Sequence, residues 1–225
     1  FGRVERQDEL SAVRTISEFL QSFPVAGRLR SRQQLSAVGA LIGSVTNEWA
    51  AERAALGNFK VVLSKSTQES FDLNAKPTSS TFSKFEYDDF GNTIKSESRN
   101  LEGLTRATKT RLQVQLDQWQ LGLPIETTAS SRGPEGSVIS HKTTREFDSI
   151  GRLVLEESEP DLAQSRRVTF KHDARGLTTE VSVGKDEGSL RTASSGYDEF
   201  GFLKWSVNGV GHRLEFTYDP AWGTP

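Results

Sequence analysis

The chain has 225 residues, 34% of them apolar and 26% charged, with a formal net charge of −2. That is enough chain to bury a core in one domain or two. A balanced charge without a Lys/Arg stripe gives no footing for a general nucleic-acid binder. The absence of cysteine excludes a disulfide framework and a thiolate metal site.

Methionine is also absent and the chain opens at Phe1 in what reads as mid-strand, so a piece of a longer polypeptide is expected. It contains no signal-peptide pattern and no apolar run of about 18 residues. Near the N-terminus, Arg28, Arg30 and Arg32 alternate as if along one strand face, a solvated strip by default with an acidic partner as the alternative. From Gln33 to Leu56, Leu35, Val38, Leu41, Ile42, Val45 and Trp49 fall near helical spacing, and 50–56 has strong helix propensity. Gly39 and Gly43 argue against a continuous helix there. The stretches 75–80 and 130–136 read as loops from their Pro, Gly and Ser content.

Beyond residue 80 one pattern recurs: a ring residue, Asp, two variable residues and Gly. The copies are Tyr87-Asp88-x-x-Gly91, Phe147-Asp148-x-x-Gly151, His172-Asp173-x-x-Gly176 and Tyr197-Asp198-x-x-Gly201, with a frayed fifth at Tyr218-Asp219-Pro220. Asp148, Asp173 and Asp198 lie 25 residues apart, Asp219 follows after 21, and the gap of 60 from Asp88 to Asp148 has room for degenerate copies. Before each Asp the apolar residues alternate, as in Val168, Phe170 and His172, which is the period of a half-buried strand. Asp opens a turn by accepting bonds from backbone N–H groups ahead of it, and Gly supplies positive φ. A second strand then leaves the turn, so each copy reads as a β-hairpin. In the His172 copy the outgoing residues (Leu177, Thr179, Val181, Val183) take the other parity, which a bulge or a one-residue change in the turn would explain.

Candidate chemistry is sparse. His141, His172 and His212 have no second ligand at metal spacing, and His172 stands where the repeat has an aromatic packing residue. Asp88 and Asp89 are neighbours whose side chains diverge, which suits a turn better than an acid/base pair. Trp49, Trp119, Trp205 and Trp222 would offer a carbohydrate platform if they converged, but scattered aromatics in hairpins are usually packing residues. There is no phosphate-binding loop, nucleophile elbow, His-Glu-x-x-His or calcium loop. The expectation is a protein without catalytic, cofactor-binding or metal-binding residues, whose singled-out positions are architectural.

The Tyr-Asp-x-x-Gly core at this spacing resembles the YD repeat of the Rhs family. Phe1-Gly2-Arg3-Val4, the run Ser22 to Arg28, Thr46-Asn47-Glu48-Trp49, the run Phe59 to Ser64, and the run Trp119 to Pro124 resemble the region entering the repeats in insecticidal toxin complex B components and related Salmonella-virulence-type proteins. The resemblance implies an all-β fold: antiparallel β-hairpin repeats forming part of a spiral shell, with a β-rich pre-repeat segment over 1–80 and repeats over 81–225. It favours strands through Trp49, with a turn or short helix at 50–56. It implies a secreted or cell-surface protein, a non-catalytic wall around a toxic C-terminal cargo. Its partners would be the rest of the parent polypeptide, that cargo and a pore-forming toxin-complex subunit, with no nucleic acid and no membrane insertion by this segment. A cell-surface adhesion module binding carbohydrate or protein is the alternative. The departures are His172 for Tyr, Leu177 and Phe202 for Asn or Arg, and Pro220; the self-cleaving aspartyl-protease motif that ends such repeat regions is missing.

Overall fold

A computed structural model describes residues 2–53 and 57–219. It is all-β, with sixteen strands and one short 3-10 turn at Glu187–Ser189. The strands are β1 (Arg3–Gln7), β2 (Arg14–Phe19), β3 (Leu29–Leu35), β4 (Leu41–Arg53), β5 (Phe59–Phe71), β6 (Pro77–Tyr87), β7 (Thr93–Asn100) and β8 (Thr105–Gln115). They continue as β9 (Gln120–Arg132), β10 (Val138–Phe147), β11 (Leu153–Ser158), β12 (Arg166–His172), β13 (Thr178–Gly184), β14 (Arg191–Tyr197), β15 (Leu203–Val207) and β16 (Arg213–Glu215). Strand order in the sheet is strand order in the chain, an antiparallel meander. Such a topology needs only tight turns, because every strand pairs with the one just made.

The chain divides into two compact units, Phe1–Thr110 with Ala129–Ser140, and Arg111–Thr128 with His141–Pro225. In the first unit the register draws cross-strand rows. One row runs Val4–Ser17–Arg32–Val45–Gln68–Thr81–Asn100, and a second on the same face runs Asn47–Ser66–Ser83–Ser98–Arg106. The opposite face carries Glu48–Lys65–Lys84–Glu97 and Glu86–Lys95–Lys109. Glu48 and Lys65 close to 2.7 Å, and Glu86 and Lys95 to 3.0 Å, each pair directly opposed in the ladder. Opposed charges of this kind hold a register in strands that have too little apolar alternation to hold it themselves.

In the second unit the same device recurs: Arg145 faces Glu156, Glu157 faces Arg167 and Lys171 faces Glu180, with ion pairs at 2.8, 3.3 and 2.9 Å. A row Glu146–Leu155–Thr169–Ser182–Thr192 crosses one face. Leu155 and Ser182 are its most buried members, and the Ser182 and Thr192 hydroxyls bond at 2.8 Å. Among the described residues, Leu155 is the one buried hydrophobic side chain, and Ser17 and Ser182 are the buried polar ones. Among the described residues no second layer packs on the sheet of either unit, so the strands are half-covered by their own neighbours rather than by a core.

Three expectations are corrected. β4 continues through Arg53, so residues 50–53 are strand; 54–56 lie outside the described residues. Ala50, Ala51 and Glu52 pair with Val62, Val61 and Lys60, and ladder bonds override the helix propensity of an alanine-rich segment. The supposed loops are short: β6 begins at Pro77 and β9 runs through Arg132, leaving tight turns at 72–76 and 133–137. The arginine strip is interrupted as well, because Arg28 lies in the turn before β3 and Arg30 is the extra residue of a bulge between the Glu18–Ser31 and Phe19–Leu29 pairs.

The bulge invoked for the His172 copy is present, but all four copies have it. In each, the residue six after the Asp (Ile94, Val154, Thr179, Lys204) is the extra one. It therefore does not set the His172 copy apart. Val181 and Val183 face Phe170 and Val168 across the ladder, on the face opposite to Leu155.

The repeat turns as candidate functional site

Each Asp turn is closed by the same bonds. Asp148 N–H donates to Arg152 O (2.9 Å) and Gly151 N–H to Asp148 O (3.0 Å). The Asp148 carboxylate, through Oδ1, accepts from Ile150 N–H (3.1 Å) and Arg152 N–H (2.9 Å). Asp88, Asp173 and Asp198 repeat this set at 2.8–3.2 Å. Gly91, Gly151, Gly176 and Gly201 sit at φ of 85–92°, the residue after a type I turn, where a Cβ is strained. The fifth copy is described only through Asp219; Pro220 lies outside the described residues.

The ring before Asp does more than pack. Tyr87 Oη donates to Leu63 O and Tyr197 Oη to Thr178 O, both at 2.8 Å. Each acceptor belongs to the strand before the hairpin, so the hydroxyl ties one repeat to its predecessor. Phe147 and His172 stand at the same position without that hydroxyl. Tyr218 stacks on Phe202, with ring centroids 5.1 Å apart and planes 24° apart.

A second tie runs from turn to turn. Arg152 reaches its own Asp148 (Nε to Oδ2, 2.6 Å) and donates from Nη1 to Asp173 O in the next turn (3.0 Å). In that next copy Leu177 occupies the Arg position, and Arg175, two residues earlier, takes over. It bonds Asp173 Oδ2 through Nε (3.2 Å) and Asp198 O through Nη1 (2.6 Å). In the first unit Lys60 Nζ donates to Asp88 O at 2.9 Å. A cation from one turn, or in the first unit from strand β5, thus satisfies a carbonyl of a later turn.

These contacts set the charge of the turn acids. Backbone donation from Arg152 outweighs burial and, with the Arg152 side chain, holds the Asp148 carboxyl below its ordinary value. At Asp173 burial raises the carboxyl, but the bonds from Leu177 N–H and from Arg175 together outweigh it and leave the group lowered. Both stay ionised as acceptors, the opposite of what a general acid needs.

The same turn also forms on sequences that lack the motif. Ser36, Asp72, Asn100, Gly133 and Asn208 each open one, closed by the N–H of a residue three further on. Ala75 takes the Gly place in the Asp72 turn at φ 60°, and Trp119 takes it in the turn from Leu116 at φ 55°. The 60-residue gap between Asp88 and Asp148 thus holds turns at Asn100, Leu116 and Gly133. Ahead of that gap, Phe71-Asp72-x-x-Ala75 carries the ring and the Asp of the motif with Ala in the Gly place.

The other candidates stay apart. His141 Nδ1 lies 2.7 Å from Glu159 Oε1 on an exposed site; His172 is a strand residue paired with Thr178, and His212 ends a turn. Among the described residues no His, Asp and Glu cluster has metal-holding geometry. Trp49 donates to Leu29 O (2.9 Å) beneath the Arg28 guanidinium, and Trp205 lies under Arg213 and against Gly196. Trp119 is exposed in its turn, and Trp222 lies outside the described residues. Among the described residues no helix is long and apolar enough to cross a membrane.

No family model matches the chain, and no curated protein matches it. Among solved structures it is similar to the crystal structure of TcdB2-TccC3-TEV, at 12% identity and TM-score 0.42, over 99% of this chain and 14% of that one. It is similar to a porin-like protein from Bacteroides uniformis at 10% identity and TM-score 0.38, over 94% and 92% of the two chains. A Photorhabdus luminescens Tc holotoxin pore, with a substitution in TccC3, aligns at 10% identity and TM-score 0.19 over 92% of this chain and 15% of that one. The chain spans 14% of the length of the first of these.

Proposed function

We propose that this chain is a non-catalytic wall segment of a secreted YD-repeat toxin protein, part of a hollow β-shell that encloses a toxic C-terminal polypeptide. The observation that carries the reading is the tie from turn to turn: Arg152 to Asp173 O, then Arg175 to Asp198 O, with Tyr197 Oη bonded back to Thr178 O. The residues that the motif marks out are spent on joining each hairpin to the next. They are ionised acceptors, turn glycines and packing rings, which is the equipment of a scaffold and not of an acid/base or nucleophilic site.

A sheet with hardly a buried side chain supports the same reading, since a wall with two wet faces has little apolar area to cover. In the proposal the partners are the remaining repeats of the parent polypeptide, the cargo and a pore-forming toxin-complex subunit. The test is protease protection in the full-length parent: the segment downstream of the repeats resists digestion until the repeats are unfolded. Cleavage of that segment at the same rate with the repeats folded and unfolded contradicts the proposal.

A further inference from the structure

The two faces of the first unit differ in charge chemistry. The face of the Glu48–Lys65–Lys84–Glu97 row neutralises itself with opposed acids and bases. The other face, followed through every paired row from β1 to β8, carries no carboxylate. Its uncharged polar side chains are hydroxyls and amides, as in the row Asn47–Ser66–Ser83–Ser98, where Ser66 Oγ bonds Asn47 Oδ1 at 2.8 Å, and apolar Val4, Val45, Leu63 and Phe85 stand among them. Its charges are arginines. Arg6 and Arg32 sit on it with no ion pair or side-chain hydrogen bond among the described residues, around a hollow of about 430 Å³ that Val4, Thr15, Ser17 and Gln34 also line.

We propose that this carboxylate-free face is a docking surface for an acidic polypeptide segment in extended form, with Arg6 and Arg32 receiving two of its carboxylates. Charge complementarity selects the sign: bare guanidiniums in a field without competing acids attract anions and discriminate against basic chains. Spacing selects the polymer. Arg6 and Arg32 are two strands and two residues apart, roughly 12 Å between backbones, and carboxylates four residues apart in an extended peptide lie at about 13 Å. A nucleic acid, with its closely spaced phosphates, calls for a continuous basic track, which Arg6, Arg32, Arg53 and Arg106, separated by uncharged residues, do not provide. The surrounding Ser, Thr and Gln groups offer the donors and acceptors that a peptide backbone needs.

The proposal does not depend on the shell reading, and its test uses the chain itself with a synthetic probe. A labelled peptide with Glu at every fourth position in a Ser/Thr/Val background is titrated against the 225-residue chain by fluorescence anisotropy. Saturable binding is expected, weakened at least about tenfold in Arg6→Gln/Arg32→Gln and unchanged in Lys109→Gln on the opposite face. Circular dichroism identical to that of the parent chain establishes that the double variant is folded. No binding, equal binding of a Lys-for-Glu peptide, equal loss in Lys109→Gln, or tighter binding of a single-stranded oligonucleotide at matched charge would each overturn the proposal.

Discussion

At the residue scale the account rests on what one carboxylate does in a turn. Asp148 accepts two backbone N–H bonds and the Arg152 side chain, and its carboxyl is lowered in consequence. An acid that is lowered on folding contributes stability that is fully present above its unfolded value, about 3.9, and that is lost as pH falls through the folded value. Thermal melts of the chain are therefore expected to be flat from neutral pH down to about pH 4 in this contribution and to decline below it. Asp148→Asn, which keeps the Oδ1 acceptor without the charge, should flatten that acid limb and lower the melting temperature at neutral pH. An unchanged acid limb would show that the turn acids carry no folding-linked charge.

Two further residues give sharper numbers. Ala75 holds φ 60° where the well-formed copies have Gly, a conformation that costs an L-residue about 1 kcal/mol, so Ala75→Gly should stabilise by up to that amount in urea unfolding. Tyr197→Phe keeps the ring and removes the bond to Thr178 O, for an expected loss of about 1 kcal/mol.

At the element scale, register is held by charge. Arg145 and Glu156 are directly opposed and only partly exposed, so Glu156→Lys should cost about 0.5–1 kcal/mol, and adding Arg145→Glu should recover most of it in a double-mutant cycle. Gly196 is a second fixed point: it faces Trp205, and a Cβ there would overlap the indole, so Gly196→Ala should destabilise by about 1–3 kcal/mol. These elements also show what the sequence could and could not reveal. The hairpins were legible wherever ring, Asp and Gly coincide, because each residue is required by the turn. The turns at Ser36, Asn100, Gly133 and Asn208 were not, because several short polar residues, or none, satisfy the same backbone bonds. The turn-to-turn cation was illegible for another reason: it moves from Arg152, two residues before the outgoing bulge, to Arg175, four before it, and only the spatial neighbourhood shows the exchange. Residues 50–53 were misread because alanines favour helix locally while the ladder partners of this segment lie six to twelve residues ahead.

At the scale of the molecule the notable quantity is how little is buried. With Leu155 as the one buried hydrophobic side chain among the described residues, stability is distributed over ladders, opposed charges and ties between successive turns rather than placed in a core. Each hairpin leans on its neighbours, as in other repeat proteins, and among the described residues no strand pairs with the outer edges of β1 and β16. Candidate-site reading from sequence followed the same division: the motif residues could be named, but the partners that give them their role lie one hairpin away.

The most direct test of the wall proposal is a cryo-electron microscopy map of the full-length parent polypeptide. This segment is expected to be one sheet thick, its turns tied Arg152 to Asp173 and Arg175 to Asp198, with one face toward an enclosed volume that holds further density. A map in which both faces are open to solvent, or in which the segment packs around a solid core, would contradict it.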